Sequence, residues 1–598
     1  MTVWAQQWEL DSIFPGGSDS VEFIDFLMSL EEDMAEMKTR LDQMGSQLGE
    51  QPVLVDLLRS IQDLMLRSKH AFSFTYCLTA QDVTDQKAKM LHGRAKQNEA
   101  NLQMVLSSLG GKLALIESVR WRTLISSNEI RTIRFPLEEM RELVKDWLAP
   151  AQEGLISDLA VEGYHSWMSL YTAIIRKMRI PFEQEGKQKL WTVEKLERVF
   201  ASTNRQEREQ AFTKYSEAFK ENEEVISSCL NNLAGFRLKI YKHRGWDSVL
   251  KESLDLNRMS QRTLERMWDA VEGSKDRFSR YFARKAELLG VDKLSWFDLQ
   301  APLFNNTTVY SLADGVQFIL QQFRRYSSSL ADFTAKAFEQ QWVETENRPN
   351  KSPVGFHAGF PLIKQSRIYK TYYGTPRDVA TLAHELGHGY HQSIISELPP
   401  LAQKYGLNMA ETASIFSERI VMNGLVQAET NQQGRAALLD LQIKNSVEYF
   451  FNVYTCYLFE KKLYEERKKG PASTHCLNEW MVEAQKKAFG NVFETYHPYY
   501  WASKFHLYIS RNSFFNYPYT FGYLFSCGIY TIAQEEGADF ENKYENLLRD
   551  SASMTAEQLA AQHLGIDLTR PEFWEQAVES IVADVDEFME WTANLKED

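Results

Sequence analysis

The 598-residue chain is 44% hydrophobic and 25% charged, enough apolar sequence to bury a large core and too much for a disordered polymer, and its length predicts more than one lobe. With 67 Lys and Arg against 81 Asp and Glu, a net charge of −14 and no dense basic stripe, it excludes a nucleic-acid partner; the run Arg467, Lys468, Lys469 reads as a solvated helix end. No apolar run approaches a membrane span and the N-terminal "MTVWAQQWELDSIFPGG" has no positive n-region before an apolar h-region, so a cytoplasmic protein without a membrane partner is expected.

In chain order the dominant signal is helix. Apolar residues recur at spacings of three and four in "VEFIDFLMSLEEDMAEMKTRLDQMGSQL", in "TVEKLERVFASTNRQEREQAFTKYSEAF" and in "TLERMWDAVEGSKDRFSRYFARKAELLG". A division is expected near residue 190, where "MRIPFEQEGKQKLWTVEKL" interrupts the helical pattern. The clearest strand is "SRIYKTYYG", rich in Tyr and Ile, after the Gly/Pro-rich "NRPNKSPVGFHAGFP". Cys77, Cys229, Cys456, Cys476 and Cys527 lack CxxC spacing and read as reduced packing residues.

The strand leads into "YYGTPRDVATLAHELGHGYHQ". Thr375 is placed to cap a helix, Pro376 suits its first position, and Asp378 completes a capping box. His384 and His388, at i and i+4, then project from one face and reach a single cation, while Glu385 lies about 100° round the helix and addresses a bound water without being a ligand. Gly387 and Gly389 each cost about 1 kcal/mol relative to Ala, so a close neighbour is expected at both.

A hydrolytic zinc site needs a third protein ligand and an open position for water. The metzincin spacing fails, because its glycine and third histidine would fall on His391 and Ile394. Of the later acids, Glu397 lies in the "SELPPLAQ" loop, whereas Glu411 opens a second helix pattern, "ETASIFSERIVMNGLV". Glu411 is the preferred ligand, and Glu418, seven residues on, is placed to support a ligating histidine.

With these motifs the chain resembles the thimet-oligopeptidase-like M3 metallopeptidases, in their oligoendopeptidase F branch. "DVATLAHELGHGYH" is similar to the family's zinc helix and "MAETASIFSE" to its third-ligand helix; "WELDSIFPGGSDS", "YKHRGWDSVLKESL" and "IYKTYYGT" extend the resemblance through most of the chain. The resemblance implies a mostly α, two-lobed metallopeptidase with a deep central cleft and a small β-sheet beside the zinc helix. An N-terminal lobe over 1–190 would precede a catalytic domain over 191–598.

Attack on a peptide carbonyl develops an oxyanion, which calls for donors besides the metal. "KFHLYISRNSFFNYPYTFGYLFS" is similar to the family segment in which a histidine and closely spaced tyrosines face the metal. That similarity implies catalytic roles for His506 and Tyr519, and substrate contacts from Tyr508, Tyr517 and Tyr523. His357, just before the strand, is a further candidate for substrate contact.

The expected function is a zinc endopeptidase that cleaves short unstructured peptides, with one Zn²⁺ held by His384, His388 and Glu411. Glu385 would take the proton of a zinc-bound water, and His506 with the tyrosines would stabilise the oxyanion. The edge of "SRIYKTYYG" would align the substrate by β-augmentation. Long helices, "VEFIDFLMSL" upstream and "NKYENLLRDSASMTAEQLAAQHL" downstream, would wall the cleft and admit extended peptides of about 5–20 residues, a length set by a rise of about 3.3 Å per residue. A dipeptidyl carboxypeptidase and a non-catalytic peptide-binding protein remain the rival readings.

Overall fold

In the computed structural model, which describes residues 4–184, 186–304 and 308–595, helices dominate and strands are confined to two small sheets. Helix α1 (Val21–Gln43) begins at Ser20, whose side chain accepts from Phe23 N, and buries Phe23, Leu27, Leu30, Met34, Met37 and Leu41 along one face. This is the stripe that spacings of three and four prescribe. With α2 (Gln51–Gln81) and α3 (Gln86–Ala114) it builds a first hydrophobic core whose chain-order run extends from Trp8 to Leu137. A larger second core draws on residues from Ala160 to Phe588.

Residues 160–190 pack in the second core. Their hairpin, β1 (Ile180–Gln184) with β2 (Lys187–Trp191), buries Ile180, Phe182 and Trp191 there. The packing therefore changes from one core to the other between Leu137 and Ala160. Two expected helices are interrupted. The first stops after Glu197 and resumes as Arg205–His243, because Asn204 caps the new start by accepting from Gln206 N at 3.0 Å. The second divides at Ser274 into Gln261–Gly273 and Lys275–Leu288, where the Ser274 hydroxyl donates to Val271 O at 2.7 Å. In both cases a short polar side chain satisfies main-chain groups locally, in competition with the helix.

The second sheet joins β3 (Val343–Glu344), β4 (Phe356–Phe360) and β5 (Gln365–Tyr369) in the order β3-β5-β4, with β3 parallel and β4 antiparallel to β5. The strand expected in "SRIYKTYYG" thus ends at Tyr369 and is the central strand, paired on both sides. It has no edge to offer a peptide. The edge belongs to β4, and the expectation is corrected accordingly. Ile368 N donates to Trp342 O on the β3 side, so Arg367 faces β4 and bonds Ala358, while the main-chain groups of His357 and Gly359 turn outward. The outward carbonyl of Gly359 is taken by Ser73 Oγ of α2 at 2.7 Å.

The motif helix, Pro376–Ile395, starts as its sequence prescribes: Thr375 Oγ1 accepts from Asp378 N at 3.1 Å and Asp378 Oδ2 from Thr375 N at 3.2 Å, with Pro376 in the first turn. It crosses the helix Thr412–Ala428 at Gly387, where a Cβ would stand 2.5 Å from Ala413 O and 2.7 Å from Ser417 Oγ. At Gly389 a Cβ would stand 2.8 Å from the Phe333 ring. The downstream helix Glu541–Asp550 packs directly on the motif helix, Tyr390 donating to Glu545 at 2.9 Å. No helix among the described residues is long and apolar enough to cross a membrane.

The crossing makes a test of packing. Gly387→Ala should destabilise the protein by about 1–3 kcal/mol, the usual cost of overfilling a packed contact. Gly154→Ala, exposed on a helix with nothing within 4 Å of its new methyl group, should raise stability. Thermal or urea midpoints of the two variants against the parent chain check both signs.

Candidate metal centre

The helix crossing places three donors together. His384 Nε2 lies 3.3 Å and His388 Nε2 3.5 Å from Glu411 Oε2, and the donor atoms of the three residues all fall within 4.8 Å of one another. Corners of a tetrahedron with bonds of about 2.0–2.1 Å, the usual Zn–N length, are about 3.3 Å apart. Two imidazole nitrogens and one carboxylate oxygen at this spacing suit a divalent transition cation of zinc type. Glu411 immediately precedes the helix Thr412–Ala428, so its position is set by the same crossing.

Each donor is oriented from behind. His384 Nδ1 is 2.9 Å from Glu418 Oε2, whose other oxygen accepts from Asn445 Nδ2 at 3.2 Å. His388 hydrogen-bonds the main chain of Ala410. Glu411 Oε2 also accepts from Ser414 Oγ at 2.9 Å. These contacts turn both Nε2 atoms toward Glu411. The ligand side chains keep 18, 21 and 18% of their surface for His384, His388 and Glu411, so the centre is open to solvent from one side.

Electrostatics distinguish the acids. Burial works against ionisation of Glu411, but the His384 hydrogen bond and the neighbouring imidazoles bring its pKa down to about 2. Glu385 is pushed up to about 7 by burial, with the charges of Glu411 and Glu418 adding to the shift and His384 opposing it. Burial also lowers His388 to about 4, whereas hydrogen bonds to Glu411 and Glu418 overcome burial at His384 and raise it. Glu411 is thus the committed anion, and Glu385 the carboxylate that can exchange a proton near neutrality. The Glu385 side chain lies against the start of β4, for a Cβ on Gly355 would be 3.3 Å from its Oε1.

The C-terminal segment divides its candidates. Tyr519 keeps exposed surface, stacks on His506 at 5.8 Å and 5°, and has its pKa raised to about 12 by burial and by the charge of Glu411. The His506 Nδ1 is 2.7 Å from Asn516 Oδ1. Tyr519 begins the face of the helix Tyr517–Glu536 that meets Glu411; Gly522, where a Cβ would stand 3.1 Å from Glu411 Cβ, continues it. The other three tyrosines are not brought to the centre. Tyr508 is fully buried, stacked on Tyr171 at 3.6 Å, and donates to Trp501 O. Tyr517 is 1% exposed with its hydroxyl beside Ser253 and Asn257. Tyr523 is 5% exposed and shares a hydrogen bond with Ser446. Their substrate-contact roles are corrected to core packing, because helical and turn geometry points them inward.

His357 lies beside the centre, its ring 6.5 Å from that of His388, with Nε2 2.9 Å from Ser366 Oγ. His391 is buried against Tyr405 and Leu548 O, away from the donors, and Glu397 pairs with Lys364. Two tyrosines escaped the sequence reading. Tyr449, on the π-helical turn Glu448–Asn452, feels the charges of Glu418 and Glu411, and Tyr76 of α2 feels that of Glu385. Neither stands in a motif; a π-turn is a frequent mark of a functional site, but nothing in the spacing announces one.

A helical frame that holds a His-His-Glu donor set beside a protonatable glutamate is the arrangement of a metallopeptidase. Solved structures share the frame. A Chlamydophila abortus chain superposes with a TM-score of 0.83 at 18% identity over 98% of both chains, and an oligoendopeptidase-F from Enterococcus faecium with 0.72 at 17% identity over 96% of this chain and 99% of that one. An oligoendopeptidase F homolog of Lactococcus lactis is 24% identical over 56% of each chain, and one of Borreliella burgdorferi 21% identical over 82% of this chain and 83% of the relative. The first alignment thus spans little more than half of its relative's length. The model of peptidase family M3 matches residues 199–580, and that of oligopeptidase F matches 113–180. The chain belongs to peptidase family M3, in the oligoendopeptidase F branch.

The support behind His384 is testable separately from the donors. Glu418→Ala should weaken Zn²⁺ binding by about 10–100-fold, the usual effect of removing a carboxylate behind a histidine ligand, and Glu411→Ala should weaken it further. Competition with a chromophoric chelator reads both.

Proposed function

We propose that the protein is a zinc endopeptidase of short, unstructured peptides. The observation that carries the reading is the convergence of the His384, His388 and Glu411 donors within 4.8 Å, with the Glu385 carboxylate beside them and against the strand edge of β4. When bound there, zinc supplies Lewis acidity that makes a water a nucleophile near pH 7 and polarises a carbonyl.

The chain's own groups supply the rest. Glu385, buried beside the donors, takes a proton from the attacking water and returns it to the leaving amine nitrogen. The outward main-chain groups of His357 on β4 hold the peptide extended past Glu385, reading backbone and tolerating side chains. Tyr519 offers its hydroxyl to the oxyanion. The Asn516 side chain holds His506 Nδ1 at 2.7 Å, which leaves Nε2 for a polar group of the substrate. His506 is therefore a substrate-binding group in this reading, and the oxyanion falls to Tyr519. Pairing with the β4 edge needs an extended main chain, which a folded protein would have to unfold to offer, at a cost of about 5–15 kcal/mol, so flexible oligopeptides are the substrate class. The five cysteines are unpaired, which fits a reducing cytoplasmic compartment.

Glu385→Gln should retain zinc and lose nearly all turnover of a quenched-fluorescent peptide; substantial residual activity would remove Glu385 as the base. Tyr519→Phe should lower kcat by about 10²–10³, the effect of losing one oxyanion donor, with zinc retained. His506→Ala should act mainly on KM. Steady-state kinetics of the three zinc-loaded variants, with metal content measured on the same samples, separate these roles.

A further inference from the structure

Resting on the peptidase reading, we infer that Phe72 and Tyr76 of the first lobe, with Phe356 of β4, form the pocket for an aromatic or large aliphatic side chain flanking the scissile bond, which makes them specificity-determining residues. The three rings come from segments nearly 300 residues apart, and they meet beside the general base. Gly355, the residue before Phe356, is the one whose Cβ would lie 3.3 Å from Glu385 Oε1. The Phe356 ring is 4.4 Å from that of Tyr76, and Tyr76 stacks on Phe72 at 6.0 Å and 20°. Phe72 and Tyr76 stand four apart on one face of α2, which fixes their alignment. Burial first, then Cys77 and the charge of Glu385, raise the pKa of the Tyr76 phenol, in keeping with a ring that stands near Glu385.

The rings themselves carry no charge, and the cation on the same face of α2 is Lys69, exposed to solvent one turn before Phe72. His92 of α3 closes the wall behind, 5.0 Å from Phe72 and 5.7 Å from Tyr76, with Nδ1 3.0 Å from Thr75 Oγ1. Burial first, and then the charge of Lys96, lowers its pKa to about 4, so the ring is uncharged at neutral pH. Phe72, Tyr76 and Phe356 all keep exposed surface, whereas Ala71, Ser73, Phe74, Thr75 and Cys77 around them on α2 are buried. A peptide laid along the outer edge of β4 directs alternate side chains to opposite faces. One side chain next to the reacting carbonyl is thereby turned to the wall. An aromatic side chain there leaves water for a ring-lined surface, while a carboxylate or ammonium would lose hydration against rings that return no hydrogen bond.

The test is a positional-scanning library of quenched-fluorescent peptides on the full-length zinc-loaded enzyme, with cleavage sites read by mass spectrometry. At one position flanking the scissile bond, Phe, Tyr, Leu and Met should exceed Asp, Glu and Lys by about tenfold or more in kcat/KM, the order that a hydrophobic pocket supplies. Phe72→Ala and Tyr76→Ala should collapse the Phe:Ala ratio at that position toward one, Tyr76→Phe should keep it, and Phe72→Arg should turn the preference toward Glu and Asp. Ratios that stay constant while rates fall for all peptides alike would overturn the pocket and leave the rings as packing. A Tyr76→Phe variant that loses kcat on every peptide would overturn it in favour of a catalytic hydroxyl. Peptide affinity measured on zinc-loaded Glu385→Gln separates the two levels: binding indifferent to the flanking side chain sinks only the pocket, and absence of any peptide binding sinks the peptidase reading with it.

Discussion

Everything at the centre depends on how closely two helices cross. At Gly387 the motif helix comes so near its neighbour that an added Cβ would stand 2.5 Å from Ala413 O and 2.7 Å from Ser417 Oγ, and that contact brings the Nε2 atoms of His384 and His388 to Glu411. One methyl group of separation would move Glu411 relative to two histidines fixed by helical pitch. The glycine lies between the two histidines in sequence because the crossing point must lie between the two ligands in space. The same logic recurs at Gly522, where a third helix closes on Glu411 from the other side.

Close packing then creates an electrostatic problem. Glu385, Glu411 and Glu418 share one recess with two imidazoles, and three like charges so near cannot all be held without compensation. The arrangement resolves this by giving the acids different partners. Glu411 faces both imidazoles and stays ionised, Glu418 is engaged by His384 and Asn445, and Glu385 is buried with little to hold its charge. A doubly charged cation at the donor atoms would offset the charges of Glu411 and Glu418 and leave Glu385 as the group free to move a proton. Differences in burial and hydrogen bonding, more than distance along the chain, assign the roles.

Much of this was legible in the sequence. Thr375, Pro376 and Asp378 specify the start of the motif helix, the His-Glu-His spacing specifies one ligand face, and the two glycines announce close neighbours, since each of these is a local property of one helix. Sheet order was not legible. "SRIYKTYYG" reads as a strand from its composition, but which strand lies at the edge depends on β3 and β4, whose pairing is non-local. The tyrosines failed for a related reason. Tyr508, Tyr517, Tyr519 and Tyr523 are alike in sequence, and only the helix Tyr517–Glu536 and the turn before it decide that Tyr519 faces Glu411 while the rest enter the core. Phe72 and Tyr76 sit in an ordinary amphipathic helix of the first lobe, where no pattern distinguishes a ring that lines a site from one that packs beside it.

The sheet ties the two cores to the chemistry. Ala358 and Phe360 of β4 and Tyr369 of β5 enter the first core, while Val343 of β3 and Ile368 of β5 enter the second. Successive residues of β5 thus anchor in different lobes, as strand alternation requires, and a register slip of one residue would exchange Ile368 and Tyr369 between cores. Such a slip is strongly opposed, because it would also bring Arg367 to the β3 side and strand its side chain, now donating to Glu9 O, among apolar neighbours. The edge of β4 is therefore fixed with respect to both lobes. Gly355, just before β4, lies on Glu385 of the motif helix, and Phe356 on Tyr76 of α2. A peptide paired with that edge is consequently read by side chains of one lobe at the place where the other lobe holds the reacting groups.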